Sequence, residues 1–280
     1  MTLRTRGLLA LMRPVNTLVA FIAIAAAAVI AGAEWSDRGR VLLAATAGAL
    51  LAAAGNIIND VFDIAIDRIN KPRRAIVRGI VPPRTARIWA ALCAATGIAL
   101  SLPLGIVPAS IAMASAALLY FYSARLKGIP LIGNIAVGLL TGMAFIFGAS
   151  VFGHPAAGVV PGLFAFFFNL AREMLKDLED RPGDQLAAVR TFPLIAGERW
   201  TLRVVTILLV TVILGSIIPY WLSLYNEQYF WVVFFGVDCV LAVLLVAMWN
   251  DRSRGNIARL NVLLKYDMLL GITAIVMGAR

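Results

Sequence analysis

Residues 41–67 read VLLAATAGALLAAAGNIINDVFDIAID. The first eighteen positions carry no charge, enough for a helix to cross most of a bilayer's hydrocarbon core. The last nine hold Asp60, Asp63 and Asp67, spaced three and then four residues apart. At 3.6 residues per turn this spacing sets the three carboxylates on one helical face, with Asn56 one turn earlier on the same face. An apolar helix that ends in an acidic face makes the fold class all-α and its setting a membrane.

The rest of the chain follows the same pattern. Apolar runs recur at about 15–33, 41–58, 86–103, 105–124, 131–152, 156–173, 204–222, 229–249 and 262–279, which predicts a multi-pass membrane protein of about nine helices forming one domain over 1–280. Of the 280 residues 61% are hydrophobic and only 14% charged, against roughly 25% charged in soluble domains. Arg4 and Arg6 precede the first run and Ala31-Gly32-Ala33 follows it, as in a cleaved leader. The run's length, and Arg13-Pro14 at its start, mark it instead as a retained helix. Cys93 and Cys239 fall in apolar stretches and give neither a disulfide framework nor a CxxC site. His154, beside Pro155, reads as a loop residue.

The formal charge of +10 would suit a nucleic-acid partner, but no basic-aromatic segment accompanies it. Topology accounts for it better. All of the 25 Lys and Arg residues except Arg38, Arg40 and Arg280 fall at the N-terminus or in the gaps after helices 2, 4, 6 and 8. The positive-inside rule then puts the N-terminus and those gaps in the cytoplasm.

A second acidic segment lies 117 residues after the first: Arg172-Glu173-Met174-Leu175-Lys176-Asp177-Leu178-Glu179-Asp180-Arg181-Pro182-Gly183-Asp184. Its aspartates repeat the spacing of three and four, and Glu173 takes the place of Asn56. Pro182-Gly183 predicts an early end to this helix, with Asp184 in the loop beyond. Both clusters close even-numbered helices, so both belong to one face of the membrane, as in an internal duplication facing across a central cavity. Six carboxylates in one cavity repel one another unless cations are present. Hard oxygen ligands suit Mg²⁺, which binds through one or two carboxylates plus substrate phosphates. The pattern therefore points to a diphosphate clamped through Mg²⁺ by Asp60, Asp63, Asp67, Asp177, Asp180 and Asp184. The plainer reading of one such cluster alone is a solvated acidic helix end. A reading of another class is a cation-coupled transporter, since intramembrane carboxylates mark ion pathways. Against it, the acidic residues lie at helix ends rather than the midplane, Asp238 being the exception.

At these positions the sequence resembles the UbiA superfamily of intramembrane prenyltransferases. The resemblance runs through Asn59-Asp60-x-x-Asp63-x-x-x-Asp67, Asp177-x-x-Asp180-x-x-x-Asp184, Tyr122-Ser123-x-x-Leu126-Lys127, Pro130-Leu131-x-Gly133-Asn134 and Arg13-Pro14-x-Asn16. It implies an all-α bundle around a central cavity whose mouth is capped by the loops after helices 2 and 6, with a lateral opening for lipid. It also implies Mg²⁺-dependent transfer of a prenyl group from a prenyl diphosphate to a lipid or aromatic acceptor. Asp60, Asp63, Asp177, Asp180, Lys127 and Glu173 are then the candidate catalytic residues. Asn16, Asn56, Asn59, Lys71, Arg74, Tyr122 and Lys176 are candidates for binding substrate. Phe62, Phe145, Phe147 and residues 164–168 are candidates for the apolar wall.

Within the superfamily, residues 55–72 and 172–180 are most similar to digeranylgeranylglyceryl phosphate synthases. That similarity implies a geranylgeranyl donor and, as acceptor, the hydroxyl of geranylgeranylglyceryl phosphate. The alternative acceptor is an aromatic ring of 4-hydroxybenzoate, naphthoate or tetrapyrrole type. Residues 71–79, KPRRAIVRG, depart from the usual Arg-Pro-x-Arg-Pro-Ile-Pro-Ser-Gly: two prolines are missing and Arg78 is added.

Overall fold

The structure is a computed structural model describing residues 2–186 and 189–279; helices and turns make up the described residues, with no strand among them. Helix α1 (Leu3–Leu11) leads into α2 (Pro14–Ile30) through Arg13, whose φ of 53° is left-handed. Proline in the first turn of α2 is tolerated because its missing N–H would have had no helical partner. The two axes meet at 47°. Then follow α3 (Arg38–Phe62), α4 (Ile64–Asn70), α5 (Pro83–Ser101), α6 (Ile106–Ala124), α7 (Ile132–Ser150) and α8 (Val159–Leu186). The second half holds the short α9 (Phe192–Ala196), α10 (Glu198–Ser216), the short α11 (Ile218–Trp221), α12 (Glu227–Val233), α13 (Cys239–Asn250) and α14 (Arg254–Gly278). One π-turn, Phe234–Asp238, joins α12 to α13 in a single span.

Among the described residues eight spans are long and apolar enough to cross a membrane, and nine if the bent α1–α2 pair counts as one. The protein is a multi-pass membrane protein. Its outward residues suit lipid: Ile207, Leu214, Phe235 and Val243 are each more than 60% exposed, a surface that would drive association in water. Trp35 and Trp221 are exposed at span ends, where indoles favour the interface.

With no hydrophobic effect between helices in lipid, close backbone approach matters. Helices α7 and α8 cross at Gly142 and Gly162, where a Cβ on Gly142 would lie 2.7 Å from the Gly162 carbonyl oxygen and one on Gly162 would lie 2.9 Å from that of Gly142. This crossing, with α2, α3 and α14, encloses the central cavity.

Two local expectations are overturned. Helix α8 does not end at Pro182-Gly183 but continues to Leu186 with the proline inside it, so Asp184 is helical and buried. Side chains from other elements bond the backbone on either side of the proline, at Glu179, Asp180 and Gly183. The first aspartate triplet does not lie on one continuous helix. The chain breaks at Asp63, whose ψ of 7° is not helical, and α4 starts afresh at Ile64. Asp63 still donates its N–H to Asn59 O at 2.9 Å, and Asp67 to Asp63 O at 2.8 Å. Asp60, Asp63 and Asp67 consequently all remain buried.

Candidate active site

The two acidic segments face each other because α4 packs on the end of α8. Five of the acidic groups have side-chain partners at hydrogen-bond or ion-pair distance. Asp60 accepts from Arg13 Nη2 at 2.6 Å and is also paired with Arg74. Asp63 accepts from Asn59 Nδ2 at 2.6 Å and is paired with Lys127, which a short 3₁₀ turn, Leu126–Gly128, carries in after α6. Asp177 accepts from Asn134 Nδ2 at 2.7 Å, and Asp180 from Lys71 Nζ at 2.7 Å. Glu173 accepts from Lys176 at 2.8 Å and lies 3.4 Å from Arg172. A low-dielectric site tolerates so many carboxylates only when they are paired and hydrogen-bonded.

Two oxygens in this cluster are left over. Asn59 Oδ1 and Asp67 Oδ2 are buried without a hydrogen-bond donor, the latter 3.6 Å from Arg74 Nε. Burial and then the charge of Asp63 raise the Asp67 carboxyl to about 6. Burial and then Arg13 lower the Arg74 guanidinium to about 9.

Below this cluster opens a cavity of about 350 Å³. Asn16, Asn56, Asn59, Tyr122, Glu173 and Lys176 line its upper part. Of the expected apolar residues, Phe145, Phe147, Phe164 and Phe168 also line it. Phe62 does not: it is 45% exposed and packs edge-on against Tyr120. The cavity runs to Ser216, at the far end of α10, which donates to Asp238 at 2.8 Å. His154 is exposed in the turn after α7, as expected.

The sequence reading brought together Asp60, Asp63, Asp67, Asp177, Asp180, Asp184, Lys71, Arg74 and Lys127, and the structure gathers all of them at this mouth. It assigned no role to Arg13, Asn134 or Asn70. Arg13 and Asn134 stand inside the segments that carry the family resemblance, and Asn70 inside residues 55–72, which carry the narrower similarity; that was the signal available for them. Asn70 bonds α8 directly: its Nδ2 donates to Asp180 O at 2.8 Å and its Oδ1 accepts from Gly183 N at 3.1 Å. Asp267 in α14, a second midspan carboxylate beside Asp238, was also passed over; it is 2% exposed and lines the cavity.

Comparison with known proteins bears on the family and the fold. The profile of the UbiA prenyltransferase family matches residues 19–268. A digeranylgeranylglyceryl phosphate synthase from Methanopyrus kandleri is 38% identical over 96% of this chain and 97% of its own length. A solved structure concerned with digeranylgeranylglyceryl phosphate synthase in membranes superposes with a TM-score of 0.78 at 29% identity, covering 99% of both chains. A UbiA homologue from Archaeoglobus fulgidus, solved with GPP and Mg²⁺ bound, shares the fold with a TM-score of 0.72 at 17% identity, over 96% of this chain and 99% of its own.

Proposed function

The chain belongs to the UbiA prenyltransferase family, and from that premise we propose that it moves a geranylgeranyl group from its diphosphate to the free hydroxyl of geranylgeranylglyceryl phosphate. The allylic carbon–oxygen bond to diphosphate breaks, an ether bond to the acceptor oxygen forms, and the hydroxyl proton is released. The observation that carries this reading is the pair of facing aspartate walls, each interlaced with cations, at the mouth of an apolar cavity.

The donor set fits Mg²⁺. Every acidic group at the mouth offers hard oxygen, and Asn59 Oδ1 and Asp67 Oδ2 have no donor of their own. Among the described residues no three His, Cys, Asp or Glu side chains already converge as a metal-ligand group. A metal there would be held by one or two carboxylates of each wall together with substrate phosphate. Asp60, Asp63, Asp67, Asp177, Asp180 and Asp184 are the residues that would hold it, and bound there it neutralises charge on the departing diphosphate. Lys127, Lys71 and Arg74 hold the carboxylates in place and are positioned to exchange those partners for diphosphate oxygens. Glu173, which lines the cavity with Tyr122 and Asn56, is the carboxylate placed to receive the acceptor proton once it exchanges its ion-pair partners Lys176 and Arg172. The wall of Phe145, Phe147 and Phe168 shelters the carbocation-like carbon and its tail from water.

The test is a transfer assay on purified protein with labelled geranylgeranyl diphosphate. An ether product from geranylgeranylglyceryl phosphate, abolished by excess EDTA and restored by Mg²⁺, is expected. Efficient prenylation of 4-hydroxybenzoate or a naphthoate, with no ether product, would overturn the choice of acceptor.

A further inference from the structure

Nothing in the sequence pairing of the two aspartate motifs says what fixes the gap between them. Pro182 sits inside the last turns of α8, where it offers no N–H and crowds the carbonyl one turn back. Two side chains from other elements staple the turns it loosens. Arg254 Nε donates to Glu179 O at 2.9 Å. Asn70, the last residue of α4, uses both ends of its amide, donating to Asp180 O at 2.8 Å and accepting from Gly183 N at 3.1 Å. The approach is so close that a Cβ on Gly183 would stand 2.3 Å from Asn70 Nδ2. Gly183 is therefore required by Asn70. The next residue, Lys71, binds the Asp180 carboxylate at 2.7 Å, so adjacent residues grip both the backbone and the side chain of one aspartate.

The flanking positions give this clamp its meaning. Asp67 lies one turn before Asn70, and Asp184 follows Gly183 directly; both are 3% exposed. We infer that Asn70 is a positioning residue that sets the separation of the two aspartate walls, with Gly183 as the position that admits it. It acts through Asp180 and Asp184, not on substrate. The inference rests on the reading of both walls as joint holders of one Mg²⁺–diphosphate group. Such a group demands ligands held to about half an ångström. Loss of a residue that orients metal ligands costs about 10–100-fold in metal affinity.

The experiment measures Mg²⁺-dependent binding of labelled geranylgeranyl diphosphate to the whole purified chain, without turnover. Asn70→Ala and Gly183→Ala should each raise the Mg²⁺ concentration for half-maximal binding at least about tenfold. Because both remove the same contact, the double variant should be no worse than the worse single one. Asn70→Ser, a milder change, keeps the test open if Asn70→Ala does not fold. Binding of geranylgeranylglyceryl phosphate should stay within about twofold of wild type, which a general loosening of the fold would not permit. An unchanged Mg²⁺ midpoint in the folded variants, or effects of Asn70→Ala and Gly183→Ala that add, would overturn the clamp. If the wild-type chain binds the diphosphate equally well without Mg²⁺, the reading of the walls fails first, and the two failures are told apart.

Discussion

Asp60 and Asp177 hold equivalent places in the two motifs but are stabilised differently, one by two guanidinium groups and the other by an amide. If both hold the diphosphate through metal, Asp60→Ala and Asp177→Ala should each lower kcat/KM at least about a hundredfold, roughly 2.7 kcal/mol of transition-state stabilisation. Near wild-type rates for both in the transfer assay would refute the assignment. Asp67 and Asp184, nearest the loops in sequence, are as buried as Asp60 and should be comparably sensitive. Asp67 also gives a pH dependence. Burial and Asp63 raise its carboxyl to about 6, and a metal ligand must be ionised. Mg²⁺-dependent diphosphate binding should thus weaken as pH falls through 6, and a binding titration that stays flat through that range would count against Asp67 as a ligand. At this scale the sequence exposed the groups whose charge recurs at a fixed spacing. Asn70 and Asn134 were harder to see, because a neutral amide shows its use only when the fold brings its partner, 110 or 43 residues away, within reach.

At the scale of elements, the apolar runs located the spans, yet their ends were misjudged where polar chemistry begins. The run read as 156–173 is the apolar part of a helix that continues to Leu186. Proline was read by its local rule, whereas the turns around it are also bonded by Asn70 and Arg254 from elsewhere in the chain. Conversely, periodicity carried the first motif through Asp63, where the backbone breaks. The α7–α8 crossing offers a direct test of packing. Gly142→Ala places a methyl group against the Gly162 carbonyl and should destabilise the protein by about 1–3 kcal/mol, read as a lower Tm in detergent. Gly39→Ala, with nothing within 4 Å of the new methyl, should leave Tm within a degree or so. Equal Tm values for the two variants would mean that the helices are not in contact there.

For the molecule as a whole, the number of spans was legible because a bilayer imposes it on sequence directly. The cavity was legible through the family resemblance, but its wall only in part: Phe145, Phe147, Phe164 and Phe168 line it while Phe62 faces outward, because which side of a helix turns inward depends on its neighbours. We propose that the mouth faces the cytoplasm, on the strength of the cation distribution. In a background lacking Cys93 and Cys239, Arg78→Cys, at an exposed position, should react with an impermeant maleimide in right-side-out vesicles only after permeabilisation. Ser36→Cys, exposed at the opposite end, should react without it. The reverse pattern would invert the orientation.

The left-handed backbone of Arg13 bears on how this protein would respond to directed evolution. An L-residue in that conformation costs roughly 1–2 kcal/mol, which glycine avoids. Arg13→Gly would relieve that strain, but the same exchange strips buried Asp60 of one of its two guanidinium partners, and breaking a buried pair costs about 3–5 kcal/mol. Fold and site thus draw on the same strained residue, and a library built to raise heat tolerance should keep position 13 fixed.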